Sequence, residues 1–244
     1  LRRRGRRDDV VIATKVSTKP GRTGLAPGNV RTALEESLTR LGTDYVDLYY
    51  AHFDDPNTPL EETVAVFEEL RAAGKTRYVA LSNYAPQRIE QWCAIAASMG
   101  AQPPVALQPH YNLLHRGDVE GPGNRGEVAA AHDMGLVPYF SLAAGFLTGK
   151  YRQGEAATTA RSSMVAEYLR PECFAVVEAL REIAAAHATQ PAAVALTWLR
   201  DRPGVVAPLA SARTVDQLAP ILEALTLELA PQETDRLTLL SDAV

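Results

Sequence analysis

Short apolar runs alternate along the chain with longer segments in which apolar residues recur at helical spacing. Runs this short and this apolar are typical of strands that are buried on both faces of a parallel sheet. The predicted strands are Val10–Val16, Val46–His52, Tyr78–Leu81, Val105–Gln108, Leu136–Leu142 and Val205–Leu209.

The segments between these runs predict helices. Pro27–Leu41 repeats Val or Leu on one helical face. In the segment 58–75, Thr58 is suited to the N-cap, Pro59 to the first helical position, and Gly74 to the end of the helix. The same reasoning predicts helices over residues 85–100, 171–188 and 214–226.

Alternating strands and helices indicate an α/β protein, either a doubly wound sheet or a (β/α)8 barrel. A nucleotide-binding doubly wound sheet would need a glycine-rich turn after an early strand, and no G-x-G-x-x-G motif is present. Polar residues instead follow the carboxyl ends of the strands, where a barrel builds its active site. We therefore predict one (β/α)8 TIM-type barrel domain over residues 1–244, with about six βα units visible.

Composition and charge argue against several classes of binding partner and site. The net charge of −4 and the pI of about 5.8 argue against a nucleic-acid partner, and no apolar stretch of about 18 residues predicts a membrane span. Cys93 and Cys173 lack metal-ligand spacing, so we expect no metal site and two free thiols in a reducing cytoplasm. The basic run at residues 1–7 is interpreted as a solvated helix end or linker.

Six sequence blocks then occur in one order, each at or near a predicted strand end. Together they resemble the aldo-keto reductase family, and the resemblance covers nearly the whole chain. It implies a (β/α)8 barrel that reduces an aldehyde or ketone to an alcohol with NADPH. The blocks are DDVVIATKV (8–16), YYAHFDD (49–55), YVALSNY (78–84), LQPHYNLLHR (107–116), YFSLAAGFLTGKY (139–151) and PLASARTVDQL (208–218).

The family uses an aspartate, a tyrosine, a lysine and a histidine in catalysis. Lys15 matches the lysine and His52 the histidine. By this resemblance, the lysine lowers the pKa of the proton-donating tyrosine, and the histidine orients the substrate carbonyl. We expect the aspartate and tyrosine in two βα units before residue 1, which makes this an N-terminally incomplete member.

The resemblance also implies a cofactor site. Ser82, Asn83 and Gln108 would bind the nicotinamide carboxamide, and Phe140 would stack on the ring. A small-residue loop would follow the pyrophosphate, and Arg213 would pair with the 2′-phosphate of NADP. The loop residues are Ser141, Leu142, Ala144 and Gly145, and Ser211 and Gln217 would join Arg213.

Other interpretations exist for these residues. Lys15 could be a solvated strand-end lysine or a Schiff-base lysine of an aldolase, and His52 could cap the following loop. The aldolase interpretation does not explain the other five sequence blocks. The alternative function is an NADP(H)-binding regulatory module or a pseudoenzyme. For the enzyme, a small carbonyl compound is the expected partner, selected by the loops Ser17–Gly28, Asp54–Asn57 and Leu113–Arg125.

Overall fold

The computed structural model describes residues 5–154 and 162–244. Contacts divide the chain into two compact units, Leu1–Gln108 with Pro122–Gly135, and Pro109–Gly121 with Leu136–Val244. Among the described residues, none of the helices is both long enough and apolar enough to span a membrane. The single domain expected over 1–244 stays a prediction.

The first unit contains a parallel sheet and a small antiparallel hairpin. The sheet order is β1-β4-β5-β6-β7, and the pairs from β1 to β6 are parallel, so their carboxyl ends meet at one edge. β2 and β3 form the hairpin. The strands are β1 (Ala13–Val16), β2 (Thr18–Lys19), β3 (Arg22–Thr23), β4 (Val46–Ala51), β5 (Thr76–Ser82), β6 (Ala106–Gln108) and β7 (Gly135–Leu136).

Helices connect these strands, which confirms the predicted α/β class. They are α1 (Pro27–Leu41), α2 (Leu60–Ala72), α3 (Pro86–Met99) and α4 (Arg125–Ala131). The helix predicted at 27–41 has the observed bounds, but the predicted Thr58 cap is wrong. Pro59 occupies the N-cap of α2, and the Thr58 hydroxyl instead donates to Asp55 Oδ2 at 2.8 Å.

An aromatic core joins these helices to the sheet. The Phe67 ring lies 5.0 Å from that of Tyr49 and 5.6 Å from that of Trp92, measured between centroids. All three side chains are buried, and burying one such side chain stabilises the fold by about 1.5–3 kcal/mol. This packing covers the face of the sheet that carries Tyr49 and supports the strand ends.

The predicted solvation of the basic run is wrong for Arg7. Its guanidinium pairs with Asp47 at 2.7 Å and lies 4.0 Å from the centroid of the Tyr45 ring. Asp47 is buried, and a buried carboxylate requires such a partner. Residues 1–4 lie outside the described part of the chain.

The second unit is mainly helical. Its core lies among α6, α7 and α9, where Trp198 is fully buried and its Nε1 donates to Thr238 Oγ1 at 3.0 Å. Its elements are a 3₁₀ segment (Ala143–Thr148), α5 (Ser162–Val165), α6 (Pro171–Ala186), α7 (Pro191–Arg200), α8 (Ala219–Glu223) and α9 (Pro231–Ser241).

Two of the predicted strands are wrong, because each contains a proline. Of the run 136–142, only Leu136 is in a strand, and the run 205–209 forms none. The N–H of Val206 still donates to the Leu136 carbonyl at 2.9 Å, and the N–H of Leu209 to the Pro138 carbonyl at 2.9 Å. Pro138 and Pro208 have no N–H, so a regular ladder cannot continue through them.

The helix predicted at 214–226 is also shorter than expected. Only Ala219–Glu223 is helical. Pro220 lies in the first turn of this helix, where it is tolerated because the first N–H groups have no helical partner. Further inside a helix it would remove a hydrogen bond, so the helix cannot begin as early as residue 214.

Candidate functional site

Four neighbouring strand ends of the first unit form one group of polar side chains. Lys15 on β1 is paired in register with Tyr50 on β4, two residues before His52. Ser82 at the end of β5 is paired with Gln108 at the end of β6. Because these strands are adjacent and parallel, the structure brings together the five predicted residues of this unit, Lys15, His52, Ser82, Asn83 and Gln108.

His52 is fixed through both its backbone and its ring. Its N–H donates to the Val16 carbonyl at 3.1 Å, and its Nδ1 lies 3.1 Å from Thr18 Oγ1. Burial and the charge of Lys15 lower the pKa of His52, so the imidazole is neutral at neutral pH. When Thr18 donates to Nδ1, the ring hydrogen is on Nε2, where it can be donated to a carbonyl oxygen.

Lys15 is half-buried, and this burial lowers its pKa. Its Nζ lies 5.2 Å from the centroid of the Tyr50 ring, within the range of a cation–π contact. This is not the environment of a freely solvated lysine. A partly desolvated ammonium group can strongly stabilise negative charge that develops beside it.

Hydrogen bonds tie the strand ends together around Ser82 and Asn83. Ser82 Oγ donates to the Gln108 carbonyl at 2.9 Å. Asn83 Nδ2 lies 3.0 Å from both the His52 carbonyl and Ser82 Oγ. The φ of Asn83 is 60°, in the left-handed region that asparagine tolerates better than most residues. These bonds hold the His52 and Gln108 strand ends in a defined arrangement.

The second unit contains a cavity of about 640 Å³. Every predicted cofactor residue of this unit lines it, and so do residues that the sequence analysis missed. The predicted lining residues are Phe140, Ser141, Leu142, Ala144, Gly145, Ser211, Arg213 and Gln217. Lys150 and Gln190 were missed.

The loop 140–145 turns sharply at the wall of this cavity. Phe140, Ala143, Ala144 and Gly145 all have positive φ, between 48° and 97°. Inside the loop, Ala143 N–H donates to the Phe140 carbonyl at 2.7 Å, and Gly145 N–H to the Leu142 carbonyl at 2.8 Å. Non-glycine residues in this region cost energy, and such strain is found preferentially at ligand-binding and active sites.

Glycine at position 145 leaves room for a cation. A Cβ added there would lie 3.0 Å from Lys150 Nζ. The Lys150 ammonium is therefore next to the turn, and Lys150 lines the cavity together with the small residues Ala144 and Gly145. The sequence signal that could have revealed it is the lysine next to last in the block YFSLAAGFLTGKY, five residues after Gly145.

The Ser141 hydroxyl forms hydrogen bonds with backbone carbonyls. Its side chain is buried, and its hydroxyl donates to the Leu209 carbonyl at 2.8 Å and lies 3.2 Å from the Pro138 carbonyl. Phe140 is 39% exposed, and its carbonyl accepts a bond from Asn112 Nδ2 at 2.9 Å. Asn112 and Ser141 thus fix the turn, and the Phe140 side chain stays accessible.

Arg213 lies on an exposed turn of the cavity wall. The N–H of Arg213 donates to Gln217 Oε1 at 2.9 Å, which stabilises the turn. In the described part of the chain, no carboxylate forms an ion pair with its guanidinium. A cation of this kind at a cavity rim is suited to bind a phosphate.

Comparisons with known proteins agree with the resemblance. The model of the Aldo/keto reductase family matches residues 1–242. Protein tas of Escherichia coli (strain K12) is 32% identical over 94% of this chain and 74% of its own length. A probable voltage-gated potassium channel subunit beta of Oryza sativa subsp. japonica is 30% identical over 95% and 74%. L-glyceraldehyde 3-phosphate reductase of Escherichia coli (strain K12) is 31% identical over 90% and 66%.

Proposed function

Because the chain belongs to the aldo/keto reductase family, whose fold is the (β/α)8 barrel, we propose that it is an oxidoreductase that reduces an aldehyde or ketone to an alcohol with NADPH. The observation that carries this proposal is the placement of Lys15 and His52 on adjacent strand ends, half-buried and electrostatically coupled. Carbonyl reduction needs such a pair, whereas cofactor binding alone does not require it.

The residues of each unit fit a part of the cofactor. Amide side chains such as Gln108 offer both donors and an acceptor to a planar carboxamide. The cavity of the second unit has a volume of about 640 Å³, within the usual range for small-molecule sites of roughly 300–1,000 Å³. Arg213 and Lys150 supply cations suited to phosphates, and only Arg213 is proposed to bind the 2′-phosphate that distinguishes NADPH from NADH.

NADPH, when bound, supplies the hydride that is added to the carbonyl carbon. His52 would donate its ring N–H to the carbonyl oxygen and orient the substrate. Lys15 would stabilise the negative charge that develops on that oxygen and would lower the pKa of a nearby proton donor. In the family pattern this donor is a tyrosine, and no tyrosine of this chain matches its motif.

We further propose a small, polar carbonyl compound as substrate, because two of the candidate specificity loops, 17–28 and 113–125, are rich in Gly, Arg and other polar residues. A reducing, cytoplasmic location is part of this proposal. It is supported by two buried cysteines that are free thiols.

A second candidate is an NADP(H)-binding regulatory module or a pseudoenzyme. The similarity to a probable potassium channel subunit beta favours it. This candidate predicts cofactor binding without carbonyl turnover, whereas the reductase predicts both.

The deciding experiment measures NADPH binding by fluorescence and NADPH oxidation with a panel of aldehydes and ketones. It is done on the 244-residue chain and on the product of the reading frame extended upstream of Leu1. Turnover that is lost in Lys15→Met supports the reductase. If both proteins bind NADPH and neither oxidises it with any carbonyl, the regulatory module replaces it.

A further inference from the structure

We propose that Tyr50 is a positioning residue of the first-unit site: its hydroxyl holds the Gln108 side chain in place for the carboxamide, and its ring supports the Lys15 ammonium. This inference rests on the proposed function, because it assigns Gln108 to the cofactor and Lys15 to catalysis. Tyr50 itself would touch neither cofactor nor substrate.

The register of the sheet places Tyr50 in the site. It lies two residues before His52, which directly follows the strand, and side chains two apart along an extended chain point to the same face. Across the sheet it is paired with Lys15 on one side and with Ala80 on the other. Tyr50 therefore shares a face with Lys15 and His52 and lies one row deeper than the histidine.

Two alanines leave the space through which Tyr50 reaches Gln108. Ala80 on β5 is paired with Ala106 on β6, and Gln108 follows two residues later on the same face. Both alanines are buried and small. With no larger side chain at these two positions, the side chain of Gln108 hydrogen-bonds Tyr50.

Tyr50 is suited to hold other groups and is poorly suited to donate a proton. It is only 1% exposed, and burial raises its pKa while the hydrogen bond from Gln108 opposes the rise. The hydroxyl therefore stays protonated at neutral pH. Its ring lies 5.2 Å from Lys15 Nζ, and a cation–π contact of this kind favours one position of the ammonium.

The adjacent Tyr49 provides a matched control. It is equally buried, on the same strand, and points to the opposite face. Its hydroxyl donates to the Val30 carbonyl of α1 at 2.9 Å. Tyr49→Phe thus removes one buried hydroxyl bond of the same kind, on the face of the sheet opposite to Lys15 and Gln108.

The test compares NADPH dissociation constants in a double-mutant cycle of Tyr50→Phe and Gln108→Ala. We expect Tyr50→Phe to weaken NADPH binding about 3- to 10-fold, as loss of one hydrogen bond predicts. In the Gln108→Ala background the same change should have almost no further effect, because the two residues act as a unit. Tyr49→Phe should leave the dissociation constant unchanged and lower only the unfolding midpoint.

The ring is tested separately through kinetics. Tyr50→Phe keeps the ring and should raise the KM for NADPH while kcat changes less than about 2-fold, because only binding is affected. Tyr50→Leu removes the ring and should also lower kcat, because Lys15 loses its support. Equal kcat values for the Leu and Phe variants would overturn the role of the ring.

Two further outcomes separate this inference from the proposed function. If the two substitutions at Tyr50 and Gln108 weaken NADPH binding independently, their coupling is refuted while the reductase stands. If the wild-type protein binds no NADPH, the proposed function fails, and the NMR signals of the Gln108 side-chain amide in the ligand-free protein still decide the contact. These signals should shift in Tyr50→Phe and not in Tyr49→Phe, and equal spectra in all three proteins would overturn it.

Discussion

Asp55→Ala should destabilise the protein and loosen the loop that faces the first-unit site. Asp55 lies three residues after His52, and its Oδ2 accepts the Leu25 N–H at 2.7 Å and the Thr58 hydroxyl at 2.8 Å. Its Oδ1 accepts the Asn57 N–H at 3.0 Å. One carboxylate therefore joins the candidate substrate loop 17–28 to the loop that follows β4.

The magnitude follows from the groups that lose their partner. Leu25 is 1% exposed, so its N–H cannot bond to bulk water without local opening, and a buried unsatisfied group costs about 1–3 kcal/mol. The bonds from Thr58 and Asn57 contribute about 0.5–1.5 kcal/mol each when they can be replaced by water. We expect the free energy of unfolding to fall by about 2–6 kcal/mol.

The backbone at Gly24 lies very close to the Asp55 carboxylate. Gly24 has a φ of 79°, and a Cβ added there would lie 2.8 Å from Asp55 Oδ2. A side chain at position 24 would therefore displace the carboxylate, and Gly24→Ala should produce part of the same loss. This gives a second variant that perturbs the contact from the other side.

The assay is urea-induced unfolding of the wild type, Asp55→Ala and Asp44→Ala. Asp44 is exposed, so its substitution controls for the loss of one acidic side chain. Unchanged slopes with a lower midpoint for Asp55→Ala would show a change of stability alone. The reasoning is refuted if Asp55→Ala and Asp44→Ala agree within about 0.5 kcal/mol, the usual range for surface substitutions.

The stabilising contribution of Asp55 should also depend on pH. Burial acts to raise the pKa of Asp55, but the bonds from Leu25, Thr58 and Asn57 outweigh it and hold the pKa below its usual value. Its stabilising contribution is therefore present above the unfolded pKa of about 3.9 and is lost as the pH falls through the folded pKa. The stability difference between wild type and Asp55→Asn should shrink below about pH 4, and a difference that grows on acidification would contradict this.

Three other substitutions test the two candidate sites and the second unit. His52→Ala should lower kcat about 10²- to 10⁴-fold while NADPH binding, followed by fluorescence, stays nearly unchanged; equal turnover would exclude a catalytic role. Arg213→Ala should weaken NADPH binding about 10-fold or more and NADH binding little, and an unchanged NADPH affinity would exclude the phosphate contact. Arg116→Met should lower the free energy of unfolding by about 1–3 kcal/mol, because Arg116 donates to Glu120 at 2.6 Å and to Asp242 at 2.6 Å; an unchanged urea midpoint would contradict this.

Local patterns in the sequence were enough for the strand–helix alternation and for the two groups of site residues. Apolar spacing on one helical face predicted α1 with its observed bounds. Polar residues at strand ends predicted the group around Lys15 and His52, because parallel strands must end at a common edge. The small-residue loop and Arg213 likewise predicted walls of one cavity.

Only the tertiary structure decided which of these residues touch one another. The contacts of Tyr50 with Gln108, of Asp55 with Leu25, and of Lys150 with the turn at Gly145 join positions whose partners are set by strand register, loop closure and a positive φ. The contacts of Tyr50 and Asp55 have no periodic or local signal in the sequence, and for Lys150 the signal is only its place five residues after Gly145. The sequence determines the chemistry of each side chain, but its neighbours depend on the path of the whole backbone. For this reason the candidate residues could be predicted from the sequence and their contacts could not.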